Sequence, residues 1–306
     1  MAARGYLYVL LAAVLWGSLG PVAKYAFSQG VAPLEVAFWR CIIPFVPFAF
    51  QALKRGGPLG VARRDRLAMA GFGVICIASF YGVYQMAINE GGAALASVLM
   101  YTAPAWVALL AWWFLGEGMS PLKLAAVVAT LAGVACVSGI VGGGAASGII
   151  ATPRAILFGL LSGLTYAMYY IFGKGRLKRY STPVLFLHSL PLGAVLLFPF
   201  VEFSAKTPGA WVAIVTVSLF STWGAYSAYY AGLRHLEATR ASVVATLEPV
   251  VAAVVAFAWW GERFTASGII GAGLILGAVI LVVWDGRRVS RVTENVPLAE
   301  PTVRGK

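Results

Sequence analysis

The chain has 306 residues, of which 60% are hydrophobic and only 11% are charged. A soluble domain carries about 25% charged residues, because polar groups must cover its exterior. The composition therefore predicts an integral membrane protein. The net charge of +12 does not indicate nucleic-acid binding, since the basic residues fall mostly in short loops between apolar runs, where they determine topology.

Ten apolar runs are long enough to cross a bilayer, which requires about 20 residues of helix. We predict spanning helices at residues 6–27, 34–53, 67–88, 95–115, 122–141, 154–173, 182–201, 210–231, 240–260 and 265–284. The glycine-rich residues 142–153 are expected to link a first unit, 1–141, to a second, 154–284. Residues 285–306 lack an apolar face and are expected to form a disordered cytoplasmic tail. The predicted fold class is all-α and integral to the membrane.

Lysine and arginine are unequally distributed between the two sides of the predicted bundle. The loops after helices 2 and 6 hold clusters at residues 54–66 and 174–179. The opposite loops contain only Arg154, Lys206 and Arg263. Because positive residues remain in the cytoplasm, we expect a multi-pass protein of the bacterial inner membrane with both termini cytoplasmic.

The second half of the chain repeats the first at an offset of 145 residues. This register aligns Tyr81 with Tyr226 and Tyr84 with Tyr229. It also aligns residues 96–98 with 241–243, Pro104 with Pro249, and Gly116-Glu117 with Gly261-Glu262. Since each half has five helices, an odd number, the halves must cross the membrane in opposite directions. Inverted repeats are typical of secondary transporters, whose substrate site lies between the halves.

At these motifs the sequence resembles the drug/metabolite transporter superfamily, in its ten-helix EamA-type branch. The resemblance rests on Leu15-Trp16-Gly17, Arg40, Pro104, Gly116-Glu117, Glu248-Pro249 and Gly261-Glu262. Within that branch the chain is most similar to the YddG-type amino-acid exporters, judged by the aromatic residues of helices 3 and 4. The resemblance implies two five-helix bundles around a central cavity formed mainly by helices 1, 3, 4, 6, 8 and 9. Helices 5 and 10 would pack peripherally. The small residues Gly273 and Gly277 of helix 10 suit close packing, either within the bundle or in a dimer contact.

Glu248 lies well inside helix 9, and ionisable groups at that depth usually face a cavity or a partner. It precedes Pro249, which cannot donate to the carbonyl of Ala245 and can open a polar pocket. We interpret Glu248 either as a group that binds a substrate amine or takes up a proton, or as a carboxylate satisfied by helix-end or tyrosine donors. No second acidic residue is expected to be buried as part of a proton relay.

Arg40 lies inside helix 2, where it could attract a carboxylate, although its long side chain can also extend to the outer surface. We expect Arg40, Pro104 and Pro249 to fix helix geometry. The candidate substrate-binding residues, besides Glu248, are the aromatic residues within spans: Trp16, Tyr81, Tyr84, Tyr101, Trp106, Tyr166, Trp223 and Tyr226. Tyrosine hydroxyls lack partners in lipid, so these side chains should point inward. They predict a cavity for zwitterions with apolar side chains, with ordinary core packing as the alternative for some of them.

The inversion places Tyr81 and Tyr84 in the outer half of helix 3, and Tyr226 and Tyr229 in the inner half of helix 8. We hypothesise that these equivalent pairs line opposite gates of an alternating-access transporter.

The predicted function is export of aromatic or neutral amino acids, or of similar small amphipathic metabolites, as a passive facilitator or coupled to protons. Transport of drugs or other metabolites by the same fold is the alternative within this class. An intramembrane enzyme is the alternative from another class, but no His-Glu-x-x-His motif occurs and His188 is the only histidine in a span. The expected partners are a small-molecule substrate and the lipid bilayer, without cofactor, metal or nucleic acid. We expect a monomer, with a dimer as the alternative.

Overall fold

The computed structural model describes residues 2–56, 59–137, 152–176, 179–260 and 265–294. Within these ranges, eight helices are long and apolar enough to cross a membrane, and two shorter apolar helices join them. In chain order the ten are α1 (Ala3–Gly17), α2 (Pro33–Lys54), α3 (Arg63–Ile88), α4 (Leu95–Leu115), α5 (Pro121–Val137), α6 (Pro153–Gly175), α7 (Thr182–Phe200), α8 (Pro208–Leu233), α9 (Ala238–Trp259) and α10 (Ala266–Asp285). Lipid offers the backbone no hydrogen-bond partners, so each span pairs its own N–H and C=O groups as a helix. The protein is therefore an all-α integral membrane protein, with ten apolar helices among the described residues.

The helices differ from the predicted spans near both ends of the chain. The predicted first span, 6–27, is divided at Ser18 into the helices Ala2–Gly17 and Leu19–Ser28. The helix that contains α10 continues to Glu294, so the first part of the predicted tail is helical. A helix can continue past the membrane because its hydrogen bonds are internal, and no proline interrupts this one before Pro297. The end of the predicted fifth span, most of the predicted linker and residues 295–306 lie outside the described residues.

The short connection between α3 and α4 reverses the direction of the chain. Residues Phe80–Met100 are helical throughout, yet the hydroxyl oxygens of Tyr84 and Ser97 lie 3.1 Å apart. Thirteen residues of straight helix would separate two such residues by roughly 20 Å. The chain therefore turns back between them, as two separate spans require.

Irregular backbone features recur at the 145-residue offset that relates the two halves. Helix α3 widens into π-helical turns at Phe72–Ser79, and α8 does so at Val217–Gly224. Helix α4 is interrupted at residues 101–102 and α9 at residues 246–247. Such interruptions and π-helical turns are often found at functional sites. The repeat is therefore a repeat of backbone geometry as well as of sequence.

The two repeated prolines follow the interruptions in α4 and α9. Pro104 is the second residue of the helix Ala103–Leu110, and Pro249 is the second residue of the helix Glu248–Trp260. At the first turn of a helix the missing N–H of proline leaves no hydrogen bond unmade. Each proline therefore starts the second segment of its helix and keeps the first segment from continuing through it.

Helices α5 and α10 pack together through a pair of glycines. A Cβ atom added at Gly133 would lie 2.8 Å from the carbonyl oxygen of Gly271, and one added at Gly271 would lie 2.5 Å from that of Gly133. Gly273 and Gly277 make no such contact within the bundle, because a Cβ atom at either would meet nothing within 4 Å in the described chain; their use in a dimer contact stays a prediction. The physical reason is helical periodicity, which turns those two glycines away from α5.

Candidate functional site

Aromatic rings from α1, α3, α6 and α8 meet at the centre of the bundle. Trp16 contacts Tyr226 and Tyr229, with ring centroids 5.4 and 5.3 Å apart. Tyr166 stacks on Phe80 with a centroid distance of 5.2 Å. All five side chains are buried. The predicted residues Trp16, Tyr166 and Tyr226 therefore belong to one aromatic cluster.

Two tyrosines of this cluster were missed by sequence reasoning. Tyr169 stacks on Tyr226 with a centroid distance of 5.4 Å, and Tyr170 lies 5.1 Å from Tyr229. Tyr170 also contacts Tyr166 at 5.4 Å. Their positions three and four residues after Tyr166 place all three on one helix face, which is a signal that the sequence does contain.

A third residue of the cluster carries no such signal. Phe186 of α7 lies 4.9 Å from Tyr226 and is completely buried. It has no polar group, and an apolar side chain in a spanning helix gives no indication of whether it faces lipid or protein.

Glu248 lies at the point where α9 resumes after its interruption. The hydroxyl groups of Tyr101 and Tyr166 lie close enough to interact with its carboxylate, and the charge of Arg40 acts on it at longer range. Tyr101 comes from the equivalent interruption in α4. A carboxylate in the first turn of a helix also interacts favourably with the positive end of the helix dipole. The repeated helix breaks thus bring together one carboxylate and the hydroxyl groups around it.

The side chain of Arg40 points into the bundle from α2. Its Nε donates a hydrogen bond to Thr222 Oγ1 at 3.1 Å, and its guanidinium carbon lies 5.3 Å from the centroid of the Tyr81 ring. Thr222 belongs to the π-helical turns of α8. Arg40 therefore ties α2 to α8 and places a positive charge beside the aromatic cluster.

The Leu15-Trp16-Gly17 motif brings α1 against the same site. A Cβ atom added at Gly17 would lie 2.7 Å from the carbonyl oxygen of Glu248. The hydroxyl of Ser221 donates to the carbonyl of Leu15 at 2.9 Å. Only glycine at position 17 allows α1 to approach the backbone of α9 so closely, and this approach positions Trp16 in the cluster.

The charged groups of the site occur once, although the scaffold is repeated. The 145-residue offset maps Glu248 onto Ala103 and Arg40 onto Leu185, which are both apolar. The inverted halves therefore build one polar site with a defined polarity, a cation beside α2 and an anion in α9.

The remaining predicted aromatic residues lie at the edge of the cluster or use their polar groups elsewhere. Tyr84 shares its hydroxyl hydrogen bond with Ser97. Trp106 and Trp223 are half-buried and pack against the core. Within the described chain, Trp223 Nε1 and Tyr229 Oη are buried without a hydrogen-bond partner, so both are donors that a bound molecule could satisfy.

Acidic residues besides Glu248 are buried, but they lie in ion pairs away from the central site, so the absence of a proton relay stays a prediction. Glu35 forms a buried ion pair with Lys206 and accepts a hydrogen bond from Ser204 Oγ at 3.0 Å. Asp65 pairs with Arg179 at 2.9 Å and accepts a hydrogen bond from Tyr180 at 2.8 Å. Both carboxylates lie at helix ends, where the sequence cannot show that a distant loop covers them.

These two contacts occupy related positions in the inverted repeats. The offset maps Glu35 onto Tyr180 and Lys206 onto Val61, and the neighbouring amide of Ala62 donates to Tyr180 Oη at 3.2 Å. Each contact joins one half of the chain to the other, at opposite ends of the bundle.

Two more buried carboxylates stabilise the junction of α4, α9 and α10. Glu117 accepts hydrogen bonds from the backbone amides of Ala238 and Thr239, at 2.5 and 3.1 Å, and so caps α9. Asp285 pairs with Arg240 at 3.1 Å. Of the repeated Gly-Glu pairs, the one at 116–117 therefore has a capping role, whereas 261–262 lies outside the described residues.

A membrane-embedded inverted repeat of helices with a buried polar site between its halves is the architecture typical of secondary transporters. The sequence matches the EamA-like transporter family over residues 3–139 and 153–284. The chain belongs to that family.

Several relatives align over nearly the whole chain. An "Uncharacterized transporter" of Archaeoglobus fulgidus is 28% identical over 90% of this chain and 94% of its own. The "Uncharacterized inner membrane transporter YicL" of Salmonella typhimurium is 27% identical over 94% of this chain and 98% of its own. A "Probable terminal-alkyne amino-acid exporter" of Streptantibioticus cattleyicolor is 28% identical over 90% and 91%.

A crystal structure of a protein 19% identical to this chain has the same fold. The two superpose with a TM-score of 0.81 over 94% of this chain and 99% of the other.

Proposed function

We propose that the protein is a secondary transporter that exports neutral, particularly aromatic, amino acids across the bacterial inner membrane, with both termini in the cytoplasm. Residues 1–141 and 154–284 act as the two inverted units of an alternating-access cycle. The observation that supports this most directly is the convergence of Arg40, Glu248 and the tyrosine cluster on one buried site.

A zwitterion presents one carboxylate and one ammonium group, and this site offers one partner for each. Arg40 retains guanidinium N–H groups beyond the Nε that binds Thr222, and a guanidinium matches a carboxylate in charge and geometry. Glu248 is the natural partner of the ammonium group. Between them, the ring faces of Tyr166, Tyr169 and Tyr226 suit an apolar or aromatic side chain.

Two further observations favour this substrate class. Trp223 Nε1 and Tyr229 Oη are buried donors without partners in the described chain, and a substrate carboxylate could accept from either. The relative from Streptantibioticus cattleyicolor is named an amino-acid exporter, and that name agrees with the charge pattern found here.

The test is transport by purified protein in liposomes. Uptake of radiolabelled phenylalanine would be measured by counterflow, with unlabelled phenylalanine, phenylalanine amide and 3-phenylpropionate as competitors. We expect strong competition by phenylalanine, which has both charges, and weak competition by the two analogues, each of which lacks one.

Matched variants connect this test to the site. Arg40→Gln and Glu248→Gln should abolish most of the flux, whereas the exposed controls Arg154→Gln and Glu202→Gln should retain it. Equal competition by all three compounds, or no phenylalanine flux from folded protein, would contradict the proposal.

A further inference from the structure

A polar pocket lies away from the central site, where the ends of α2 and α8 approach the second turn of α1 and the first turn of α7. Its volume is about 270 Å³. The residues that matter for its chemistry are Tyr8, Gln51, Arg55, Ser227, Arg234 and His235. We call this set the cationic pocket.

The lining of the cationic pocket suits an anion. Arg55 and Arg234 supply two positive charges, and no acidic residue of the described chain lines the pocket. The hydroxyl of Ser227 is buried there without a hydrogen-bond partner in the described chain. Two guanidinium groups and a buried hydroxyl donor are the groups that bind a phosphate.

The cationic pocket lies at helix ends, at the level of the membrane where lipid headgroups are found. Arg55 follows the end of α2 and Arg234 follows the end of α8, on the face where the basic loops lie and which we propose is cytoplasmic. Basic pockets between helices on that face are typical sites for anionic lipid headgroups.

The surface beside the cationic pocket indicates a lipid rather than a free anion. Tyr8 lines the pocket and is 43% exposed. Leu7, Leu11 and Val14 are 66%, 49% and 50% exposed, and at intervals of three and four residues they form one stripe along α1. This apolar stripe runs from the pocket towards the middle of the membrane, where the acyl chains of a bound phospholipid would lie.

We propose that the cationic pocket binds the phosphate group of an anionic phospholipid. Arg55 and Arg234 contact the phosphate, Ser227 and Gln51 donate hydrogen bonds to the headgroup, and the acyl chains pack on the exposed stripe of α1. The assignment goes beyond amino-acid transport and shares with the proposed function only the orientation of the chain.

The test is lipid binding by native mass spectrometry on the purified full-length protein. Phosphatidylglycerol and phosphatidylcholine with the same acyl chains would be titrated separately, each with and without inorganic phosphate as a competitor. We expect saturable binding of phosphatidylglycerol that phosphatidylcholine does not reproduce. In Arg55→Gln/Arg234→Gln this affinity should fall about 30-fold, since each basic residue near the membrane surface contributes about a fivefold effect.

Two control variants separate the pocket from general charge and from folding. Arg63→Gln/Arg64→Gln removes the same charge from exposed positions outside the pocket and should bind phosphatidylglycerol like the wild type. Arg55→Lys/Arg234→Lys keeps the charge and should retain most of the affinity, which shows that substitution at these positions leaves the fold intact.

Three outcomes would overturn the proposal: equal binding of the two lipids, equal loss of binding in the Arg63/Arg64 control, or displacement of the lipid by inorganic phosphate at comparable concentration. Displacement by inorganic phosphate would show that the pocket binds a free anion and not a lipid headgroup. The assay measures lipid binding and requires no transport. A failure of the lipid proposal can therefore be distinguished from a failure of the proposed amino-acid transport.

Discussion

The guanidinium carbon of Arg40 lies 5.3 Å from the centroid of the Tyr81 ring, and its Nε donates to Thr222 Oγ1 at 3.1 Å. Tyr81 belongs to α3 in the first repeat and Thr222 to α8 in the second. One cation thus contacts both halves of the transporter beside the buried carboxylate of Glu248. A substrate that binds Arg40 is therefore placed to affect how the two halves pack.

The first prediction concerns the shape of the cation at position 40. Arg40→Lys keeps the positive charge but loses the planar group that can bind Thr222 and a carboxylate together. We expect the apparent KM for phenylalanine to rise about 10-fold to 100-fold, as loss of a hydrogen bond to a charged group predicts. Counterflow kinetics in liposomes measure this value, and Arg154→Lys is the matched control. An unchanged KM would show that Arg40 only fixes the helices.

The second prediction concerns Glu248. Glu248→Gln removes the charge that would bind the substrate ammonium group while keeping an acceptor for Tyr101 and Tyr166. We expect the apparent KM to rise at least about tenfold, with or without a pH gradient across the liposome. If the variant instead loses gradient-driven accumulation of phenylalanine but retains exchange, Glu248 has a role in proton coupling and not in substrate binding.

The third prediction tests the repeat-related tyrosines as gates. Tyr81 packs beside Arg40, whereas Tyr226 stacks on Tyr169. We expect Tyr81→Ala to favour the state open to one side of the membrane and Tyr226→Ala the state open to the other. Labelling rates of single cysteines introduced on the two sides of the central site, in a background without the three native cysteines, would report the two openings. Changes in the same direction for both variants would contradict the gate hypothesis.

The fourth prediction concerns the buried ion pair of Glu35 and Lys206. Lys206 Nζ also lies 5.2 Å from the Trp211 ring centroid, and the Glu35 side chain is completely buried. Removing one partner leaves an uncompensated charge, so Glu35→Gln should lower the free energy of unfolding by about 3–5 kcal/mol.

The double variant Glu35→Gln/Lys206→Met serves as the test of this coupling. It should be more stable than Glu35→Gln alone, because neither charge is then buried without its partner. Thermal unfolding in detergent compares the variants, with the exposed Glu202→Gln as the control. Additive losses in the double variant would show that the ion pair does not couple the two residues.

The fifth prediction uses the glycines of α10 as a matched pair. Gly271→Ala places a Cβ atom 2.5 Å from the carbonyl oxygen of Gly133, whereas Gly273→Ala meets nothing within 4 Å in the described chain. We expect the first to lower stability by about 1–3 kcal/mol through overpacking and the second to be neutral or slightly stabilising. The melting temperatures of the two variants measure the difference, and equal values would contradict the observed contact between α5 and α10.

The sequence by itself determined the class of fold, because hydropathy is a local property of each segment. Hydropathy was sufficient to locate ten apolar runs as candidate spans. The repeat of Tyr81, Pro104 and their equivalents indicated two inverted halves. The interruptions beside Pro104 and Pro249 also follow from local chemistry, since proline cannot continue a preceding helix. Tyr166, Tyr226 and Trp16 could likewise be proposed as inward-facing residues, because their polar groups would lack hydrogen-bond partners in lipid.

Only the tertiary structure decided which distant groups meet. The ion pair of Glu35 and Lys206 joins positions 171 residues apart, and the contact of Arg40 with Thr222 joins positions 182 apart. Neither pair follows the repeat offset or a helical period, so no local pattern marks it. The side of a helix that faces a neighbour is likewise set by packing, which is why Gly271 rather than Gly273 contacts α5. Spans follow from the solvent that each segment prefers, whereas the site depends on how the spans pack against one another.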